Sequence, residues 1–197
     1  MKTSFKSYLL AALIACAMAI FISYPIMCTS LHIKLYFDDA SDHKQCSLYY
    51  TTAETPNFSE DKLITAKPSY DKADLVLPKS LCSKLENLRL DFSYTESLIS
   101  IDRIELCSGG FVQETYSAKE FFHPDNIQYT NDIALIQPTA SATYIDTSGS
   151  DPFIVFQPSV VKECNDAFSH YTVTKLLICI FVAVTIFLAR KKIFSAE

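Results

Sequence analysis

The sequence predicts a mainly β protein: an antiparallel, jelly-roll-like β-sandwich flanked by two transmembrane helices. Three observations predict it. Short runs in the middle of the chain alternate apolar and polar residues with period two, as half-buried strands do. The segments between them are rich in turn formers and charge. Near each end of the 197 residues stands an apolar run with almost no charge. Mean hydropathy is +0.16 although 20% of residues are charged, so the apolar character is concentrated locally.

The elements follow in order. Residues 1–7 carry Lys2 and Lys6 and form a short basic flank. Residues 8–27, "YLLAALIACAMAIFISYPIM", hold no charge over 20 positions, which at about 1.5 Å per residue crosses a hydrocarbon layer of roughly 30 Å. A cleaved signal peptide would end near "AMA" at 17–19, yet the apolar run continues through "IFISYPIM", which favours an uncleaved signal anchor. "LIAC" at 13–16 has the look of a lipoprotein box, but the apolar stretch before it is short and the residues after it are apolar rather than polar. The second run, Leu176 to Ala189, extends back to Tyr171 if Lys175 snorkels, giving a helix over 171–189 before the basic tail 190–197 with Arg190, Lys191 and Lys192. The basic flanks place both termini in the cytoplasm and the intervening domain, residues 28–170, outside. Residues 28–172 carry 11 basic and 21 acidic side chains.

Within that domain "LHIKLYF" sets Leu31, Ile33, Leu35 and Phe37 on one face. "CSLYY" does the same with Cys46, Leu48 and Tyr50, and "DLVLP" with Leu75 and Leu77. "DDASDHKQ", "TAETPNFSED" and "TAKPSYDKAD" read as the connections. In "ENLRLDFSYTESLISIDRIEL" Leu88, Leu90 and Phe92 share a face, so Arg89 and Asp91 lie together on the other. After a turn at "SYTES", Ile99 and Ile101 begin in one phase and Ile104 and Leu106 continue in the opposite one. One residue must be absorbed near Asp102 and Arg103, and a β-bulge does that. The charges then read as solvated or cross-strand partners rather than a reaction site.

The succession "CSLYYTTAETPNFSEDKLITA", "YDKADLVLP" and "LENLRLDFSYTESLISIDRIEL" resembles the small β-sandwich modules on bacterial membrane proteins of cell-surface polysaccharide assembly. It covers roughly residues 31–107, with an echo in "TSGSDPFIVFQ" at 147–157. Such modules are accessory domains of multi-span, glycosyltransferase-like proteins. The resemblance implies a non-catalytic accessory domain in the cell envelope, with a membrane glycosyltransferase or a cell-surface glycan as partner. Phe92 stands where the pattern often has proline, and one span follows the domain instead of many, so the catalytic machinery of those proteins is absent and the chain also reads as a fragment of such a protein.

No residue set in the chain points to a reaction. His32, His43, His123 and His170 stand in separate contexts without zinc-ligand spacing. Gly109, Gly110 and Gly149, the three glycines, exclude a phosphate-binding glycine loop, and no GxSxG elbow occurs. "DDASD" at 38–42 lacks EF-hand spacing and reads first as a solvated turn. No cofactor is expected. Cys16 and Cys179 fall in the apolar runs and Cys28 at an edge; Cys46, Cys82, Cys107 and Cys164 can form two disulfides in any of three connectivities, or serve as small buried hydrophobes. Tyr49, Tyr50, Tyr70, Tyr94, Tyr116, Phe121, Phe122, Tyr129 and Tyr144 offer rings of the kind that stack on sugars, and Tyr49, Arg89 and Asp91 make the candidate binding face. The excess of acid disfavours nucleic acid as a partner. "NFS" at 57–59 is a sequon of the length expected by chance.

Overall fold

The computed structural model describes residues 30–38, 46–69, 71–92 and 97–168. The two apolar runs, 8–27 and 171–189, and their flanks lie outside these residues, as do most of the "DDASDHKQ" and "SYTES" connections. Among the described residues no helix is long and apolar enough to cross a membrane.

Two antiparallel sheets form, as the period-two alternation requires. In the first, β1 (Leu31–Phe37) lies between β5 (Lys72–Leu77) and β7 (Leu98–Ser108), and β4 (Lys67–Pro68) continues beyond β5. The free side of β7 is shared. Its first half pairs with β11 (Thr143–Thr147), which carries β10 (Ile133–Pro138), and its second half pairs with β8 (Phe111–Ser117). The second sheet runs β3 (Leu63–Thr65), β2 (Cys46–Thr51), β6 (Asn87–Phe92), β12 (Phe153–Phe156), β9 (Ile127–Asn131).

One core lies between them. β1 contributes Leu31, Ile33 and Leu35, β5 Leu75 and Leu77, and the second sheet answers with Cys46, Leu48, Leu88, Leu90, Phe92, Ile154 and Phe156, all buried. Phe37 and Tyr50, in phase with these residues, are only partly buried. The phase switch in β7 is resolved as the sequence predicts. Tyr36 faces Arg103 and Phe37 faces Ile101, so Asp102 is the extra residue, and the bulge lets Ile101 and Ile104 both point inward with no exposed surface.

Three features were not anticipated. Gly109 and Gly110, with φ of 60° and 84°, make the two-residue turn from β7 to β8, a conformation in which glycine meets no Cβ penalty. A short helix α1 (Ala118–Phe121) follows, closed by a capping box between Ser117 and Glu120. After β12 a second helix, α2, includes residues 158–168. Its Val160, Val161, Cys164, Ala167 and Phe168 are buried at helical spacing, and the Asn165 amide donates to the Leu85 carbonyl at 3.0 Å, tying the helix to the chain ahead of β6.

Candidate functional site

Antiparallel register assembles the outer face of the second sheet. β6 places Arg89 opposite Tyr49 of β2 and Val155 of β12, and Asp91 opposite Ser47 and Phe153. Residues 89 and 91 are two apart on one strand, so their side chains rise from the same face. Arg89 Nε donates to Asp91 Oδ1 at 2.7 Å and Nη2 to Oδ2 at 2.6 Å, a bidentate fork, while Nη2 also reaches Asp151 Oδ1 at 3.2 Å. The guanidinium lies 3.7 Å from the centre of the Phe153 ring and 5.0 Å from that of Tyr49. Phe153 meets Tyr129 of β9 edge-on with centroids 6.0 Å apart. The Tyr49 hydroxyl donates to Glu60 Oε1 at 2.9 Å, from the 3₁₀ turn Glu60–Lys62.

This layer is shielded. The Arg89 and Asp91 side chains are 19% and 17% exposed, and Val155, on the same face, is buried. Burial pushes the Asp91 carboxyl above its ordinary value, and the Arg89 fork opposes that without cancelling it. Burial also works against the Arg89 charge, but the Asp91 bonds outweigh it and raise the guanidinium further. Burial and the bond to Glu60 raise Tyr49. The solvated side predicted for Arg89 and Asp91 is therefore the outer face, as expected, but the pair is covered by rings rather than by water. Arg89 is engaged by two carboxylates, and the exposed acids of the face are Glu60, which accepts from Tyr49, and the 60%-exposed Asp151, which pairs with Arg89. Such a face can stack a flat apolar surface on its rings and accept hydrogen bonds from hydroxyl or amine donors beside them.

Other expected residues lie elsewhere. Tyr50, Phe121 and Phe122 pack on or in the core, and Tyr116 packs on Phe121 with centroids 5.8 Å apart. Tyr70 and Tyr94 lie outside the described residues, as do His43, His170, Cys16, Cys28 and Cys179. Cys46, Cys82, Cys107 and Cys164 are free thiols. Cys46 and Cys164 sit in the core, where burial pushes each thiol up to about 12. Cys107 approaches Glu105 at 4.0 Å and Cys82 approaches Ser83 at 3.8 Å. Among the described residues no three His, Cys, Asp or Glu side chains gather as a metal site.

Sequence reasoning missed Phe153, Glu60 and Asp151 as members of the face. It also missed a relay on the outer face of the first sheet, where Ser30 Oγ lies 2.9 Å from His32 Nε2 and His32 Nδ1 lies 2.9 Å from Asp74 Oδ1. That order of atoms is the one a serine nucleophile uses; His32 stands on β1, Asp74 on the neighbouring β5, and Ser30 just ahead of β1. The sequence separation of 42 between His32 and Asp74 leaves no local signal of it. No protein-family model matches the chain, and no curated protein matches it.

Proposed function

We propose that the chain is a non-catalytic accessory module of a bacterial cell-envelope polysaccharide system. Its apolar segments 8–27 and 171–189 anchor it with both termini in the cytoplasm, and the β-sandwich is displayed outside the membrane. The outer face of the second sheet meets a membrane glycosyltransferase. The observation that carries this reading is the Arg89 clamp. A guanidinium stacked on Phe153, within 5.0 Å of the Tyr49 ring centre and fixed by Asp91, is a largely desolvated patch of the composition found at the centres of protein contacts. The test is co-purification of the full-length chain with a co-expressed membrane glycosyltransferase encoded beside it. Retention that falls at least about tenfold in a folded Arg89→Ala variant supports the reading. Unchanged retention overturns it.

A second reading, a stand-alone carbohydrate-binding module, is favoured by the half-exposed Tyr129 ring next to Phe153, with the exposed Asp151 carboxylate on the Arg89 that stacks on Phe153. Binding of the full-length chain to an array of envelope glycans, lost in Tyr129→Ala, selects this reading over the first. Topology is tested separately. In intact cells a membrane-impermeant thiol reagent should label a cysteine introduced at Ser141 and miss one at Ser195; labelling at Ser195 without lysis contradicts the two-span arrangement.

A further inference from the structure

The two sheets part at one end, where β9, an edge of the second sheet, turns at Asp132 into β10, an edge of the first. Between them and α1 opens a cavity of about 510 Å³, within the size range of sites for small organic ligands. Its wall is apolar: Phe122, Ile127, Ile133, Leu135 and Ile136 line it, and Leu135 is 51% exposed. Apolar surface held open to water in a concave site is a feature of ligand grooves rather than of a finished core.

The fixed charge on the lining is positive. The chain carries 22 acidic residues, yet none lines this cavity; its titratable groups are Lys119 and His123. Lys119 forms no ion pair among the described residues. The neighbouring acids are otherwise engaged: Glu120 accepts from the Ser117 backbone and hydroxyl at 3.0 and 2.8 Å, and Asp125 donates its backbone N–H to His123 Nδ1 at 3.3 Å, so that nitrogen is an acceptor and the neutral ring carries its N–H at Nε2. We propose that this groove binds a single-chain amphiphile with an anionic head, its hydrocarbon lying between β9 and β10 and its head at Lys119 and His123. An apolar trough with one lysine cation and an imidazole N–H on its lining matches that chemistry, whereas a neutral alkane makes no use of either polar group and a hydrophilic anion leaves the trough empty.

The experiment uses the full-length chain in phosphatidylcholine nanodiscs and a diazirine-bearing analogue of palmitate, with crosslinked peptides mapped by mass spectrometry. Labelling should concentrate in residues 119–138 and be competed by palmitate, and hexadecanol should compete about tenfold less well because it lacks the charge. Leu135→Asp, at an exposed position, should abolish this labelling through charge in the trough, and Lys119→Glu should weaken it severalfold; circular dichroism checks that both stay folded. Labelling absent from 119–138, unaffected by Leu135→Asp, or competed equally by hexadecanol overturns the proposal. Seating of a protein partner's apolar side chains in the groove would appear as no labelling there, and counts against it equally.

Discussion

The outer faces of the two sheets carry the same constellation in different surroundings. On the first sheet the Tyr36 hydroxyl donates to Glu105 Oε2 at 2.9 Å, and Arg103 lies 3.8 Å over the Tyr36 ring while donating to Asp102 at 2.8 Å. On the second, Tyr49 donates to Glu60, and Arg89 stacks on a ring while gripping Asp91. Exposure separates them: 42% and 41% for Arg103 and Asp102, against 19% and 17% for Arg89 and Asp91. The first pair joins adjacent residues at a bulge, where water reaches both. The second lies along a central strand under Phe153, whose ring takes the place of solvent. Similar contacts therefore differ in energetic weight, because desolvation and not the contact inventory sets what a charge pair does.

Mutations on opposite faces of β6 sharpen the comparison most. Leu90→Ala, in the core, should cost about 2–5 kcal/mol through lost burial and the cavity left behind. Denaturation midpoints of the domain comprising residues 30–170 measure it, and an unchanged midpoint breaks the strand phase. Next comes Arg89→Ala, which strands a half-buried carboxylate and removes the cover from Phe153, at about 1–3 kcal/mol. Gly149→Ala should fall in the same range of about 1–3 kcal/mol, since a Cβ there overlaps the Asp132 carboxylate that accepts from the Asp151 backbone and so holds the loop bearing Asp151. If Gly149→Ala is silent, the loop is not part of the clamp. Arg103→Ala should cost less than about 1 kcal/mol, as solvated pairs do.

The last expected effect is one of pH. Burial, then the bond to Glu105, pushes Tyr36 up to about 12 from an ordinary 10.0. A raised folded pKa means that the folded state keeps its proton longer, so the contribution is complete below pH 10 and is lost as pH climbs toward about 12. Denaturation midpoints across that window should fall less steeply in Tyr36→Phe than in the unaltered chain; parallel profiles would mean that the hydroxyl bond is not formed.

Much of the scaffold was legible because strand phase is local. Leu88, Leu90 and Phe92 face inward as their spacing dictates, and the switch between Ile101 and Ile104 announces the bulge at Asp102. The pairing of Arg89 with Asp91 was likewise within reach of period two. Their shielding was not, since Phe153 and Asp151 arrive from about 60 residues away through the β6–β12 register, which no local pattern encodes. The helix over 158–168 and the Gly109–Gly110 turn differ in kind: their signals, helical spacing from Val160 to Phe168 and paired glycines between alternating runs, are local and present in the sequence.

The difference between the two faces is tested most directly by paired double-mutant cycles, Arg89 with Asp91 and Arg103 with Asp102, each at low salt and at about 1 M salt, where the screening length is roughly 3 Å. The shielded pair should show a coupling above about 1 kcal/mol that barely changes with salt, and the exposed pair a coupling under about 0.5 kcal/mol that salt removes. Equal couplings, or a salt-sensitive Arg89–Asp91 term, would contradict the account and return the face of the second sheet to ordinary solvated surface.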